Sequence, residues 1–344
     1  DLTIDSGVGI DSVSALGALD YAGLPGWCAA GLPEAEQPEP YIHHFPDGNS
    51  TIARKLVCRL IPDLVSGNSL EYLITAKLDY GLLDDPRNDV SVRLNSTVIN
   101  VQNNKSAGGT VTVSYVRDNQ LEKVSASKCI LACNSNVIPF ICPELPDKQK
   151  EALAFQVKVP ILYTNVAVKN WEAWKNLGIG AMVCPGSYHI VSMLDFPVTY
   201  GNYEFSRNER EPIVIHMERF PHSYGSNLSA REQYKLGRYE LLTTPFETIE
   251  RNVREQLESS LSEGGFNAAK DILGITVNRW SHGYSYWYNP LFDPIYDDYN
   301  DSRYPHIIGR KKYGNITIAN ADSAANAMLE SAIEEAYRAV SELI

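Results

Sequence analysis

The segment 278–288 holds the densest group of chemically useful side chains in the sequence. Five of its eleven residues are aromatic, and His282 lies among them. Flat aromatic rings wall clefts that hold planar cofactors, or bind an alkylammonium by cation–π contact, and Gly283 permits close approach of the backbone. The same density suits an aromatic core, and both interpretations stay open. His282 alone is more typical of a buried, hydrogen-bonded histidine than of a catalytic base.

A polar turn at residues 320–326 precedes the last predicted helix. Its side chains, which include Asn320 and Asp322, surround backbone N–H groups that a helix cannot satisfy internally. A helix start of this kind carries roughly half a positive charge and attracts anionic or electron-rich groups. Capping of the helix by Asp322 or Ser323 is the simpler alternative.

The segment 293–301 interleaves four carboxylates with two tyrosines. This pattern suits the binding of a cationic amine. It suits a solvated surface loop equally, since runs of charge usually face water.

The elements that must position these residues are clearest at the C-terminal end. Residues 316–319 form a predicted strand, and a long helix follows the polar turn. Apolar residues recur in this helix at steps of three and four, which predicts its buried face. They are Leu329, Ala332, Ile333, Ala336, Val340 and Leu343. A capping box predicts the start of an earlier helix, with Thr244 as N-cap, Pro245 at the first position and Glu247 at the third.

Alternating apolar residues predict strands in the middle of the chain. The runs 90–101, 110–116 and 123–127 predict a β-meander, which leads into a short apolar run at 129–133 typical of a buried parallel strand. Strand-like runs at 161–168, 212–217 and 275–279 then alternate with helices. The pattern indicates an α/β or α+β protein.

Composition excludes several classes of function. The chain has 344 residues, enough for roughly two domains. Its 42 acidic residues outnumber 30 Lys and Arg, giving a net charge of −12, which disfavours nucleic acid and anionic lipid as partners and favours a small cationic substrate. No apolar run is long enough for a membrane span, and no targeting segment indicates a compartment. The His and Cys residues show no metal-binding spacing, so no metal site is predicted.

Six blocks of the sequence resemble spermidine dehydrogenases, a family of the FAD-dependent amine oxidase superfamily. The blocks are 9–13 (GIDSV), 41–54 (YIHHFPDGNSTIAR), 93–98 (RLNSTV), 160–171 (PILYTNVAVKNW), 275–284 (ITVNRWSHGY) and 316–322 (ITIANAD). The resemblance extends along essentially all of the chain. It implies an amine-oxidase-like FAD-binding domain at 1–148, interrupted by a substrate domain of mixed or antiparallel sheet and helices at 149–285, with a return to the FAD-binding domain at 286–344.

The resemblance also implies an activity. A polyamine or related amine would pass a hydride from its carbon to the flavin, and the imine would be hydrolysed. FAD would be held noncovalently. Because the sequence has no CxxCH motif, a haem would also have to be noncovalent. The electron acceptor is not indicated.

Site residues carry over from the matching blocks. Val98 would contact the adenine through its backbone, and Asn320 and Asp322 would face the ribityl and phosphate side. Met328 and Leu329 would bring the start of the last helix to the pyrimidine end of the ring. The residues implied to lie against or near the isoalloxazine, and thus to be catalytic, are Trp280, His282 and Tyr284.

One part of the family pattern is missing. Gly7 and Gly9 lack the third glycine and the preceding strand of the GxGxxG unit that holds the FAD pyrophosphate. We therefore expect the chain to be a fragment that binds FAD weakly. Two alternatives follow: a non-catalytic remnant that binds an amine or a partner chain without redox activity, and a flavoprotein oxidoreductase with a different substrate.

Overall fold

The computed structural model describes residues 3–14, 31, 48–65, 67, 69–104, 109–201 and 203–344. The HFPDGN block therefore lies largely outside the described residues. The strands are β1 Ser96–Asn103, β2 Val111–Arg117, β3 Gln120–Ala126, β4 Cys129–Leu131, β5 Val159–Val168, β6 Ala181–Val183, β7 Val191–Leu194, β8 Ile213–Arg219, β9 Ile272–Tyr284 and β10 Ile316–Ile318. The helices are α1 Thr3–Ser6, α2 Ser50–Leu60, α3 Leu70–Thr75, α4 Ile138–Ile141, α5 Asp147–Phe155, α6 Glu172–Leu177, α7 Ala230–Thr243, α8 Phe246–Leu261, α9 Ala268–Asp271, α10 Pro305–Gly309 and α11 Leu329–Ser341.

The largest sheet has five strands in the order β6-β7-β8-β5-β9, and every neighbouring pair is antiparallel. Strand alternation sends Leu162, Val166, Ile215 and Met217 into a core built with α6 and α8. The residues that alternate with them on each strand, such as Tyr163 and His216, face the other side of the sheet. Together with the helices, this antiparallel sheet confirms the predicted class, α/β in its α+β form.

The predicted meander is a three-stranded antiparallel sheet, β1-β2-β3, with a register shift between Val98 and Asn100. Strand β4 follows it and pairs in parallel with β10. This confirms the parallel strand predicted from the apolar run. Leu131 and Ile318 lie in the core that joins this pair to the meander.

The last helix, α11, has the predicted position, but the prediction of its buried face is wrong. Ile333 and Val340 are 45% and 44% exposed, whereas Glu335 is buried. Ion pairs explain the difference: Arg310 lies 2.5 Å from Glu335, and Arg338 lies 2.8 Å from it. Because the buried carboxylate has two cationic partners, the polar side of the helix packs inward.

The predicted capping box is also wrong. Helix α8 begins at Phe246 with Pro245 as its N-cap, and the Thr244 hydroxyl donates to the Glu240 carbonyl instead. The capping box belongs to α7, where Ser229 accepts from the backbone of Glu232 and the Glu232 carboxylate accepts from the backbone of Ser229.

A second core joins the N-terminal segment, the end of the sheet and the segment after β9. Its members include Val8, Val159, Tyr234, Tyr286 and Tyr304. Part of the aromatic segment therefore serves as core, as its alternative interpretation predicts. In the described part of the chain, no helix is long and apolar enough to span a membrane.

Candidate functional site

A cavity of about 730 Å³ lies between the end of β9 and the start of α11. Its volume is in the range of small-molecule sites. The sheet side is lined by Val159, Tyr284, Ser285, Trp287 and Tyr288, and the helix side by Asn326, Ala327, Met328 and Glu330. Two residues predicted for different roles, Tyr284 and Met328, are thus brought to one cavity.

Close backbone packing positions Tyr284. A Cβ on Gly283 would lie 2.9 Å from the Val159 carbonyl oxygen and 2.5 Å from Ile161, so only glycine lets the strands approach this closely. The Tyr284 hydroxyl is 2.8 Å from that of Tyr163 on β5. Burial, together with this hydrogen bond, raises the pKa of Tyr163. Tyr163 therefore keeps its proton and orients the Tyr284 hydroxyl at the cavity.

A buried ion pair lies directly behind the cavity wall. Lys158 Nζ is 2.6 Å from Asp322 Oδ1, with the two side chains 10% and 1% exposed. Lys158 also donates to the Ser285 hydroxyl, which lines the cavity. Asp322 Oδ2 accepts from the Ser135 backbone. Asp322 balances the charge of Lys158, and Ser285 separates the ammonium group from the cavity.

Asn320 fixes the turn that carries Asp322. Its Oδ1 accepts from the Ser323 backbone at 2.8 Å, and its amide donates to the Cys133 carbonyl. Neither Asp322 nor Ser323 caps α11. This helix has Met328 at its N-cap position and no side-chain cap. Leu329, the next residue, is 39% exposed and does not line the larger cavity.

The other two residues predicted to be catalytic do not line the cavity. Trp280 is 54% exposed and pairs in register with Ile161. His282 Nδ1 is 2.9 Å from the Ser281 hydroxyl. Burial and then the charges of Arg238 and Lys158 lower the pKa of His282, which favours its neutral form at neutral pH.

Val98 lines a second, smaller cavity of about 430 Å³, against the segment 129–133 that contains β4. The Asn320 turn lies between the two cavities. Through Asn320 it bonds Cys133, which lines the smaller cavity, and through Asp322 it pairs with Lys158 behind the larger one. Asn320 and Asp322 thus connect the cavity that Val98 lines with the cavity that Met328 lines.

The acidic segment 293–301 does not line the larger cavity. Asp293 is buried, where it accepts from Tyr286 and from the Asn289 backbone. Asp297 and Asp298 are exposed. Asp293 is thus a structural carboxylate, and Asp297 and Asp298 belong to a solvated loop.

The flavin ring fits what the described residues offer. Tyr284 and Trp287 supply aromatic walls, Asn326 supplies an amide, and the uncapped start of α11 supplies backbone N–H groups. No Lys or Arg lines either described cavity. Neither lining therefore supplies a cationic side chain for a pyrophosphate. Among the described residues, no group of His, Cys, Asp and Glu is arranged to hold a metal ion.

Sequence reasoning missed Lys158 and the polar face of the large sheet. A single lysine forms no motif, so its pairing with Asp322 depends on the fold. The sheet face carries Tyr163 and Asn165 on β5 and His216 and Glu218 on β8. These residues are two apart on each strand, a pattern that is visible in the sequence and indicates one face of a sheet.

No family model and no curated protein sequence matches the chain. Solved structures similar to it include a putrescine oxidase variant, with a TM-score of 0.49 and 15% identity over 72% of this chain and 48% of that one. Others are cyclohexylamine oxidase from Brevibacterium oxydans IH-35A (TM-score 0.47, 11% identity, 72% and 47%) and wild-type putrescine oxidase bound to putrescine (0.48, 14%, 73% and 49%). The chain spans about half the length of these structures.

Proposed function

We propose that this chain takes part in the FAD-dependent oxidation of a polyamine or a related amine, with FAD held noncovalently. One observation carries the proposal: the Asn320 turn contacts the linings of both cavities. FAD has a planar ring at one end and an adenine at the other. Residues that the sequence resemblance assigns to these two ends, Met328 and Val98, line the two separate cavities that the turn joins.

The protein groups have distinct roles in this proposal. Tyr284 and Trp287 hold the ring, and the start of α11 faces its pyrimidine end. Lys158, held by Asp322, fixes the Ser285 hydroxyl at the wall of the cavity. FAD, if bound there, would supply the two-electron acceptor for a hydride from the amine carbon. Loss of a proton from the nitrogen to water would leave an imine, which water would hydrolyse to an aldehyde and a smaller amine.

Tyr284 positions the amine. Its hydroxyl is hydrogen-bonded to that of Tyr163, so it is oriented before the substrate arrives. An amine nitrogen that bonds to this hydroxyl is held at the wall of the cavity. The aromatic side chains exclude water around the reacting carbon.

A visible absorbance spectrum tests the proposal. Purified chain is mixed with FAD, freed of unbound flavin, and titrated with spermidine without oxygen. We expect retained absorbance of oxidised flavin that bleaches with spermidine and does not bleach with an uncharged diol. Protein that stays colourless, or colour that spermidine leaves unchanged, would contradict the proposal.

One observation favours a second candidate, an amine-binding protein without redox activity. The lining of the larger cavity contains Glu330 and no Lys or Arg, which suits a cation better than a diphosphate. Protein that stays colourless after FAD is added, yet binds spermidine in calorimetry, would support this alternative.

A further inference from the structure

A third cavity, of about 440 Å³, lies between helix α7 and strand β9. It shares no lining residue with the two cavities of the candidate site, and its volume is in the range of small-molecule sites. Three of its lining residues are cationic: Lys235 and Arg238 on α7, and Arg279 on β9. The fold, and not a run of basic residues in the sequence, therefore brings these charges together.

None of the three cations has a carboxylate partner in the part of the chain that the structure describes. The two carboxylates of α7 are bound elsewhere: Glu232 closes the capping box with Ser229, and Glu240 lies 2.6 Å from Arg219. Burial lowers the pKa of Arg238, and burial is the only cause of that shift. The cavity therefore has a positive charge that the described protein leaves unbalanced.

Backbone carbonyl groups hold two of the cations in place. Arg238 Nε donates to the Ser281 carbonyl at 3.0 Å, and Arg279 Nη2 donates to the Thr244 carbonyl at 2.8 Å. A carbonyl oxygen orients a guanidinium group but does not neutralise it. Because each guanidinium group has five N–H donors, further donors remain for an anion in the cavity.

The rest of the lining is mainly apolar. Leu241 is buried, whereas Leu242 and Tyr239 are 78% and 66% exposed. Large apolar side chains that stay exposed around a cavity are typical of a binding site. The cavity thus combines an apolar wall with cations, in a chain whose net charge is −12.

We propose that this cavity binds a small organic anion, a phosphate monoester with an apolar body. Arg238 and Arg279 hold the phosphate group, because a guanidinium group matches two of its oxygens with two N–H donors. Lys235 adds a third charge, and Tyr239 and Leu242 contact the body. Three cations suit a phosphate monoester, with about two negative charges, better than a carboxylate with one. The site is separate from the proposed amine oxidation.

Calorimetry with phenyl phosphate, benzoate and inorganic phosphate tests the two halves of the site. Benzoate has the apolar body with a single charge, and inorganic phosphate has no body. We expect phenyl phosphate to bind about tenfold more tightly than either. Leu242→Ser removes an exposed part of the apolar wall, so it should weaken phenyl phosphate and leave inorganic phosphate nearly unchanged.

Substitution of the cations tests the charged half. Arg279→Gln should weaken the binding of phenyl phosphate about tenfold, and Lys235→Gln should also weaken it. Arg251→Gln is the matched control: it removes the same charge from an exposed residue of α8 that does not line the cavity, and should leave the affinity nearly unchanged. Thermal unfolding checks that each variant is folded, and Arg279→Lys, which keeps the charge, should retain part of the affinity.

Several results would overturn the inference. They are an unsubstituted chain that does not bind phenyl phosphate, an affinity that Arg279→Gln and Lys235→Gln leave unchanged, and an equal loss in Arg251→Gln. Equal binding of phenyl phosphate and inorganic phosphate would exclude the apolar body. An oligoglutamate peptide that binds more tightly than phenyl phosphate would overturn the small ligand in favour of an acidic protein segment. Because calorimetry uses neither FAD nor an amine, colourless protein that binds phenyl phosphate would contradict only the proposed function.

Discussion

Lys158 and Asp322 stabilise the fold only as a pair. Both side chains are almost fully buried, so removal of one charge leaves the other without a partner in a site of low polarity. We expect Lys158→Met to lower the free energy of unfolding by about 3–5 kcal/mol. Addition of Asp322→Asn to this variant should recover part of the loss, as measured by urea unfolding.

An exposed ion pair provides the control. Lys150 lies 2.8 Å from Asp147, whose side chain is 89% exposed. Lys150→Met should change the free energy of unfolding by less than about 1 kcal/mol. Equal effects of Lys150→Met and Lys158→Met would contradict the structural role of the buried pair.

His306 makes stability depend on pH. Burial, and then the charge of Arg310, lowers its pKa from 6.5 to about 4, and its Nδ1 is 2.9 Å from the Tyr288 hydroxyl. The folded state therefore binds fewer protons than the unfolded state between these values. The stability that the neutral His306 contributes to the fold is fully present above pH 6.5 and is lost as the pH falls towards 4.

We expect His306→Gln to flatten the fall in stability across this range. One histidine contributes a slope of up to about 1.4 kcal/mol per pH unit. Urea unfolding of both proteins at several pH values across the window gives the slopes. Identical slopes would show that His306 takes up its proton without unfolding the chain.

At the scale of elements, the approach of β9 to β5 depends on Gly283. A Cβ there would meet Ile161 and the Val159 carbonyl, and the backbone cannot move aside cheaply. Gly283→Ala should cost about 1–3 kcal/mol of stability and weaken ligand binding at the cavity. Gly274 on the same strand has no atom within 4 Å of its ideal Cβ position, so Gly274→Ala is the matched control. An equal loss of stability in both variants would contradict this explanation.

The helix cap of α7 gives a second prediction for an element. Ser229→Ala removes a side-chain oxygen that accepts from the backbone of Glu232, and should cost about 1 kcal/mol in thermal unfolding. Thr244→Ala removes the hydroxyl at the cap that sequence reasoning predicted, where no cap forms, and should cost less. A larger effect at Thr244 would contradict the observed assignment.

Local patterns predicted the elements better than they predicted their faces. The parallel strand β4 and the position of α11 follow from short apolar runs and helical spacing, which are local properties. The prediction of the buried face of α11 was wrong because Arg310, which lies outside this helix, pairs with Glu335. Lys158 was missed for the same reason, since only the fold brings it to Asp322.

At the scale of the whole molecule, the site depends on contacts between distant parts of the chain. Val8, Val159 and Tyr304 share one core, which holds the N-terminal segment, the large sheet and the segment after it together. The Asn320 turn then links this assembly to the meander side through Cys133. The cavity at Tyr284 therefore forms only when these parts pack together.

The net charge of −12 acts on any cationic ligand across the whole surface. A polyamine carries several positive charges, so its attraction to this field should weaken more steeply with salt than that of a monoamine. Between about 0.01 and about 0.15 M salt the Debye length falls from about 30 to about 8 Å, which screens all but nearby charges. Calorimetry across this range should show a larger loss of affinity for spermidine than for octylamine. A sucrose series of equal osmolality is the control and should change neither affinity. Equal salt dependence for both amines would mean that the net charge of the protein does not contribute to polyamine binding.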